Sequence, residues 1–152
     1  MYLAKMGLDI TGVEFAPSAV AKAEKLAQAN GVSPRFIQAD LFDWDWPVEA
    51  FDITLGLFIQ FVGPDQRDIL WRNMLAATKP GGLMMIHGYT PKQIEFGTGG
   101  PPSVKNMYVA SDFDEIFKGC EVLVCEEYEA EQRSGSAHFG MSALIDFVAR
   151  KP

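Results

Sequence analysis

The chain has 152 residues, 48% of them hydrophobic and 22% charged, with a formal net charge of −7. That length is enough for one domain, residues 1–152, with a real core. The acidic balance argues against nucleic acid, whose phosphates need a basic footprint, and against anionic membrane surfaces. No apolar run approaches the roughly 20 residues of a spanning helix. Residues 1–6 lack the basic start and long apolar stretch of a signal peptide. Cys120 and Cys125 are the two cysteines and imply no disulfide framework, which makes a reducing cytoplasm the default expectation. Two cysteines and two histidines do not complete a metal site at any usual spacing, so none is expected.

Residues 2–6 read as the tail of a helix closed by Gly7. A buried parallel strand follows over 8–14, Leu-Asp-Ile-Thr-Gly-Val-Glu, ending in the carboxylate of Glu14. Pro17 suits the first turn of a helix over 18–30, rich in Ala, Lys, Glu, Gln and Leu, with Val20, Ala23, Leu26 and Ala27 on one face. Asn30-Gly31 stops it. Arg35–Ala39 is a short strand ending at Asp40. Asp43, Trp44, Asp45 and Trp46 form a loop with solvated acids.

Residues 51–58 are apolar on both faces, as a central strand of a parallel sheet should be. Gly63-Pro64-Asp65 opens a helix to about Thr78, with Ile69, Leu70, Leu75 and Ala76 as its apolar face. Lys79-Pro80-Gly81-Gly82 is a tight turn into a strand over 83–89. Residues 90–110 are irregular, with a Gly-rich centre at 97–100 that fits a lid or plain connector. Ser111 with Asp114 resembles an N-cap and its acid, opening a short helix to Lys118. Two strands, 121–131 and 140–150, close the chain as an antiparallel hairpin around Gly135. Strand–helix alternation predicts an α/β fold with a parallel sheet.

In such a sheet, ligands bind at the carboxyl ends of the strands. Four features are expected there: Glu14, Asp40, the segment Gly56 to Gln60, and Tyr89 to Pro91. Two carboxylates on one rim suit a nucleoside. Glu14 can accept from both ribose hydroxyls, and Asp40 can accept from an exocyclic amine, with Leu41 and Phe42 facing the ring.

The ordered set Gly12-Val13-Glu14-Phe15-Ala16-Pro17, Ala39-Asp40-Leu41, Phe51-Asp52-Ile53 and Lys79-Pro80-Gly81-Gly82 resembles a class I S-adenosylmethionine-dependent methyltransferase over residues 1 to about 90. The segments 96–102 and 136–140 resemble, more narrowly, small-molecule methyltransferases of the tellurite-resistance group. The resemblance implies a Rossmann-like, doubly wound, mostly parallel sheet with an antiparallel C-terminal strand. It implies S-adenosylmethionine as cofactor and a small-molecule acceptor. It implies cofactor contacts from Glu14, Phe15, Asp40, Leu41, Leu57, Phe58 and Gln60. Tyr89, Tyr108 and Arg133 fall on the substrate side. His138, at the start of the last strand, is the candidate base if the acceptor is protonated, and His87 is expected in the core.

The family's first strand and Gly-rich loop are not found in the sequence, so a chain truncated at its N-terminus is expected. Either the strand 8–14 pairs directly with 51–58, or a second copy fills the gap as a homodimer. The competing reading is a truncated or inactive Rossmann-like binding module without a competent cofactor site. A nicotinamide-dependent oxidoreductase is disfavoured by the closing hairpin and the Lys-Pro-Gly-Gly turn.

Overall fold

The computed structural model describes residues 1–134 and 138–152. They form two compact units, Met1–Asp45 and Trp46–Pro152.

The first unit opens with a single helical turn, α1 (Tyr2–Lys5), followed by Gly7 at φ +88°. β1 (Thr11–Glu14) leads into α2 (Pro17–Ala29), and β2 (Arg35–Gln38) follows. Pro17 supplies the fixed φ of a first helical turn. The exit is set by Asn30, whose side-chain amide donates to the Leu26 carbonyl at 2.7 Å, and by Gly31 at φ +65°. β1 and β2 pair in parallel, with Thr11 opposite Arg35 and Glu14 opposite Gln38. The strand expected from residue 8 thus begins at Thr11, where β2 first offers it a neighbour. α2 buries Ala27, whereas Leu26, expected on the same face, is half exposed.

The second unit holds β3 (Phe51–Leu57), α3 (Pro64–Ala77), β4 (Thr78–Tyr89), the single turn α4 (Gln93–Phe96), β5 (Glu121–Ser134) and β6 (His138–Arg150). Its sheet runs β3-β4-β6-β5. β3 and β4 are parallel, and β6 is antiparallel to both its neighbours, which is the expected antiparallel closing strand. The sheet order leaves the outer edge of β3 without a strand neighbour among the described residues, so β1 does not pair with β3. The hairpin loop expected around Gly135 lies outside the described residues.

Three local expectations change. The Lys79–Gly82 turn is absorbed into β4 as a bulge, with the register shifting between Phe51 and Ile53 and Gly81 at φ +75°. Around residue 110 the cap is Asp112 on the Val109 N–H (2.9 Å), closing a 3₁₀ turn over Ala110–Phe113 rather than a helix begun by Ser111. In α3 the buried residues are Arg67, Leu70, Trp71, Met74 and Ala77, while Ile69 is 53% exposed. The spacing is still helical, but the face includes an arginine, which a purely apolar pattern passes over.

One face of this sheet carries the core. Trp71 stacks on Phe113 (4.7 Å between ring centres), and Phe113 stacks on Phe147 of β6 (4.2 Å). On the other face, Ile53, Leu55 and Leu57 of β3 are 42%, 43% and 55% exposed. That face also carries His87 and Asp146, discussed below.

Candidate functional site

In the first unit, the two carboxylates stand at the ends of neighbouring parallel strands. Glu14 ends β1 and is exposed. Its Oε1 accepts from the Ala16 N–H at 2.8 Å, which caps the entry to α2. Asp40 lies two residues beyond the end of β2, and its Oδ1 accepts from the Phe42 N–H at 2.9 Å. The Asp40 carbonyl also accepts from the Asp43 and Trp44 N–H groups, so the chain turns tightly around it. Each carboxylate therefore spends one oxygen on a local turn. The other oxygen makes no hydrogen bond among the described residues. Phe15 is 69% exposed, and Leu41 is half-buried.

In the second unit, the rim begins where β3 ends. Leu57 is exposed, and Phe58 adopts a left-handed φ of +53°, costly for a bulky residue. Its N–H donates to the His87 carbonyl at 2.8 Å. Its ring lies edge-on to the His87 imidazole (4.6 Å) and beside the Tyr89 ring (4.8 Å). Gln60 is buried, and both ends of its amide meet the Tyr89 backbone. Nε2 donates to the Tyr89 carbonyl at 2.8 Å, and Oε1 accepts from the Tyr89 N–H at 2.7 Å. The Gln60 side chain thus braces β4 rather than reaching outward.

The expected substrate-side residues are scattered. Tyr89 is buried against Met107, Leu144 and Tyr128, and burial raises its phenol pKa. Tyr108 is fully buried against Trp71 and Phe113, and burial, more than any neighbouring charge, pushes its pKa far up. It packs in the core through long-range contacts that an irregular segment does not reveal. Arg133 is exposed on β5 and pairs with Glu131 at 2.9 Å, two residues away on the same strand. His138 opens β6, and its side chain lies outside the described residues.

The Gly-rich segment is stitched down, as a connector would be. Gln93 is fully buried. Its Nε2 donates to Thr98 Oγ1 (3.0 Å) and the Gly99 carbonyl (3.2 Å), while its Oε1 accepts from the Ala143 N–H of β6 (2.9 Å). Thr98 in turn donates to the Met141 carbonyl. Among the described residues, no three His, Cys, Asp or Glu side chains could hold a metal ion.

Sequence reasoning passed over one constellation. His87 of β4 and Asp146 of β6 are direct cross-strand partners, with Nδ1 2.6 Å from Asp146 Oδ1. The phenol of Tyr128 on β5 feels the same Asp146, and burial first, then that carboxylate, pushes its pKa up to about 12. The available signal was a histidine and an aspartate, each with an apolar residue before it in its strand. A second oversight is Arg67, which is buried, grips Asp112 through both guanidinium nitrogens (2.9 and 3.0 Å) and lies over the Trp71 ring.

Known proteins share this fold. The methyltransferase domain family matches residues 1–82, just over half of the chain. The demethylmenaquinone methyltransferase of Thermus thermophilus is 27% identical over 86 residues, covering 56% of this chain and 38% of that protein. The chain thus spans well under half the length of this curated relative. Among solved structures, an S-adenosylmethionine-dependent methyltransferase from Methanosarcina mazei superposes with a TM-score of 0.78 at 14% identity, over 99% of this chain and 85% of that one. TehB from Haemophilus influenzae gives 0.76 at 16% identity, over 99% and 52%. The chain belongs to the methyltransferase domain family and has the Rossmann-like fold of the S-adenosylmethionine-dependent enzymes.

Proposed function

We propose that the protein transfers a methyl group from S-adenosylmethionine to a small-molecule acceptor. The observation that carries this reading is the pair Glu14 and Asp40. They end adjacent parallel strands, each with one oxygen fixed by a backbone N–H and one left to accept. That pair of acceptors fits a nucleoside. Glu14 can take the ribose diol, Asp40 the adenine amine, and half-buried Leu41 the ring face. Prefixing one oxygen matters because the carboxylate does not have to be ordered when the ligand arrives. S-adenosylmethionine, when bound, supplies the electrophilic methyl carbon and a neutral thioether leaving group. Within the second unit, Phe58 offers an aromatic face of the kind that steadies a sulfonium charge, and exposed Leu57 precedes it with an apolar surface.

A calorimetric titration of S-adenosylmethionine and S-adenosylhomocysteine into the folded chain tests the reading. Binding of both, weakened by Asp40→Asn about 5- to 150-fold, is the expected result; the range is one charge-assisted hydrogen bond of about 1–3 kcal/mol. A folded chain that binds neither supports the competing reading of a binding module without a cofactor site.

The same reading includes a homodimer. Among the described residues β3 has no strand neighbour on its outer edge, which lies next to exposed Ile53, Leu55 and Leu57, a combination that natural sheets normally cover. Sedimentation equilibrium should show self-association that Leu55→Asp abolishes. A wild-type monomer at all concentrations rules the dimer out.

A further inference from the structure

The geometry points to His87, held by Asp146, as a general base that takes the proton from the methyl acceptor. The inference rests on the methyl-transfer reading above and names the acceptor class: a hydroxyl, thiol or amine that still carries its proton, on an apolar body.

Four observations support it. His87 sits two residues before the end of β4, near the carboxyl rim where this fold binds ligands. A carboxylate can only accept, so the 2.6 Å contact requires His87 Nδ1 to carry the proton and leaves the lone pair on Nε2. Among the described residues, Nε2 makes no hydrogen bond, and the side chain is 20% exposed. Finally, the imidazole cannot swing freely. Its backbone carbonyl is bonded to the Phe58 N–H, the Phe58 ring abuts its edge, and the left-handed Phe58 backbone holds that ring in place.

The surroundings on each strand suit the role. From β6, Asp146 faces the imidazole. From β5, Glu126 lies opposite Asp146 in the register. From β3, Leu57 and Phe58 present an apolar and an aromatic surface.

In the step itself, the Nε2 lone pair takes the proton of the acceptor's X–H bond. The pair left on X forms the bond to the methyl carbon. The pair that held the methyl stays with the donor's sulfur, which loses its positive charge. That charge ends as the added proton on His87, opposite the Asp146 carboxylate. Asp146 is a positioning residue, since it acts through the imidazole.

The chain has two histidines, so His138→Gln leaves His87 as the sole imidazole. Nitrogen-15 NMR of that variant should show neutral His87 as the Nδ1–H tautomer. Adding Asp146→Asn should lose that preference, and carbethoxylation of Nε2 by diethyl pyrocarbonate should slow with it. With S-adenosylmethionine and a naphthol, a thiophenol and an aniline as probes, wild type should turn over at least one. His87→Gln should then lose about 10²–10⁴-fold in kcat with donor affinity unchanged by calorimetry. An Nε2–H tautomer, or full turnover by His87→Gln, overturns the proposal. So does a donor-binding chain that methylates none of the three probes. Absence of donor binding instead refutes the methyl-transfer reading, while the tautomer still reports on the pair.

Discussion

Gln60 holds the Tyr89 backbone from both sides, donating to its carbonyl and accepting from its N–H, with both groups buried. The end of β4 is fixed by a side chain from the loop after β3. Gly88 makes room for this, since a Cβ there would come within 2.8 Å of the Gln60 amide carbon and 2.9 Å of the Tyr108 ring. Replacing Gln60 by Leu strands the Tyr89 N–H, and the expected loss is about 1–3 kcal/mol, read as a lower midpoint in urea unfolding. Gly88→Ala should also destabilise, because both neighbours are already braced.

The Arg67–Asp112 fork predicts a strong asymmetry between single and paired changes. Asp112→Ala leaves a buried guanidinium over Trp71 without its carboxylate and should cost about 2–3 kcal/mol. Arg67→Met with Asp112→Ala should recover part of that loss in the same unfolding assay. Additive losses would show that the two residues do not act as a pair.

The phenol of Tyr128 has an alkaline signature. Its pKa rises from 10.0 to about 12, through burial first and then the nearby Asp146 carboxylate. The folded chain therefore holds that proton more tightly than the unfolded chain. The stabilisation is complete below pH 10 and is lost as pH rises towards 12. Burial of Tyr89 acts in the same direction. Denaturation midpoints between pH 9 and 12 should fall steadily, and Tyr128→Phe should flatten that slope.

Both thiols are predicted to be sluggish. Burial raises the pKa of Cys120 and of Cys125, with neighbouring Asp114 and Glu127 adding to the effect at Cys125. Their reaction with a disulfide reagent should be slow at pH 7 and should accelerate above pH 9, since only the thiolate attacks.

What could be read from the sequence was what is decided locally. Pro17 opening α2, Gly31 ending it, and the carboxylates at the ends of β1 and β2 all follow from a few adjacent residues. The closing antiparallel strand was legible for the same reason, from one alternating run. The pairs that join distant segments were not. His87 and Asp146 are 59 residues apart and meet only through the β4–β6 register. Arg67 and Asp112 are 45 residues apart and meet only in the folded chain. Tyr108 stands in a stretch without a periodic pattern, and its packing on Trp71 is a long-range contact.

A nucleoside held by the carboxylate that ends β1 is tested by the affinity of the folded chain for S-adenosylhomocysteine, compared with the 2′-deoxy analogue, in wild type and in Glu14→Gln. Wild type should bind the ribose form more tightly, and Glu14→Gln should remove that preference along with about 1–3 kcal/mol of affinity. Equal affinity for both ligands in wild type, or a preference untouched by the substitution, would contradict that role for Glu14.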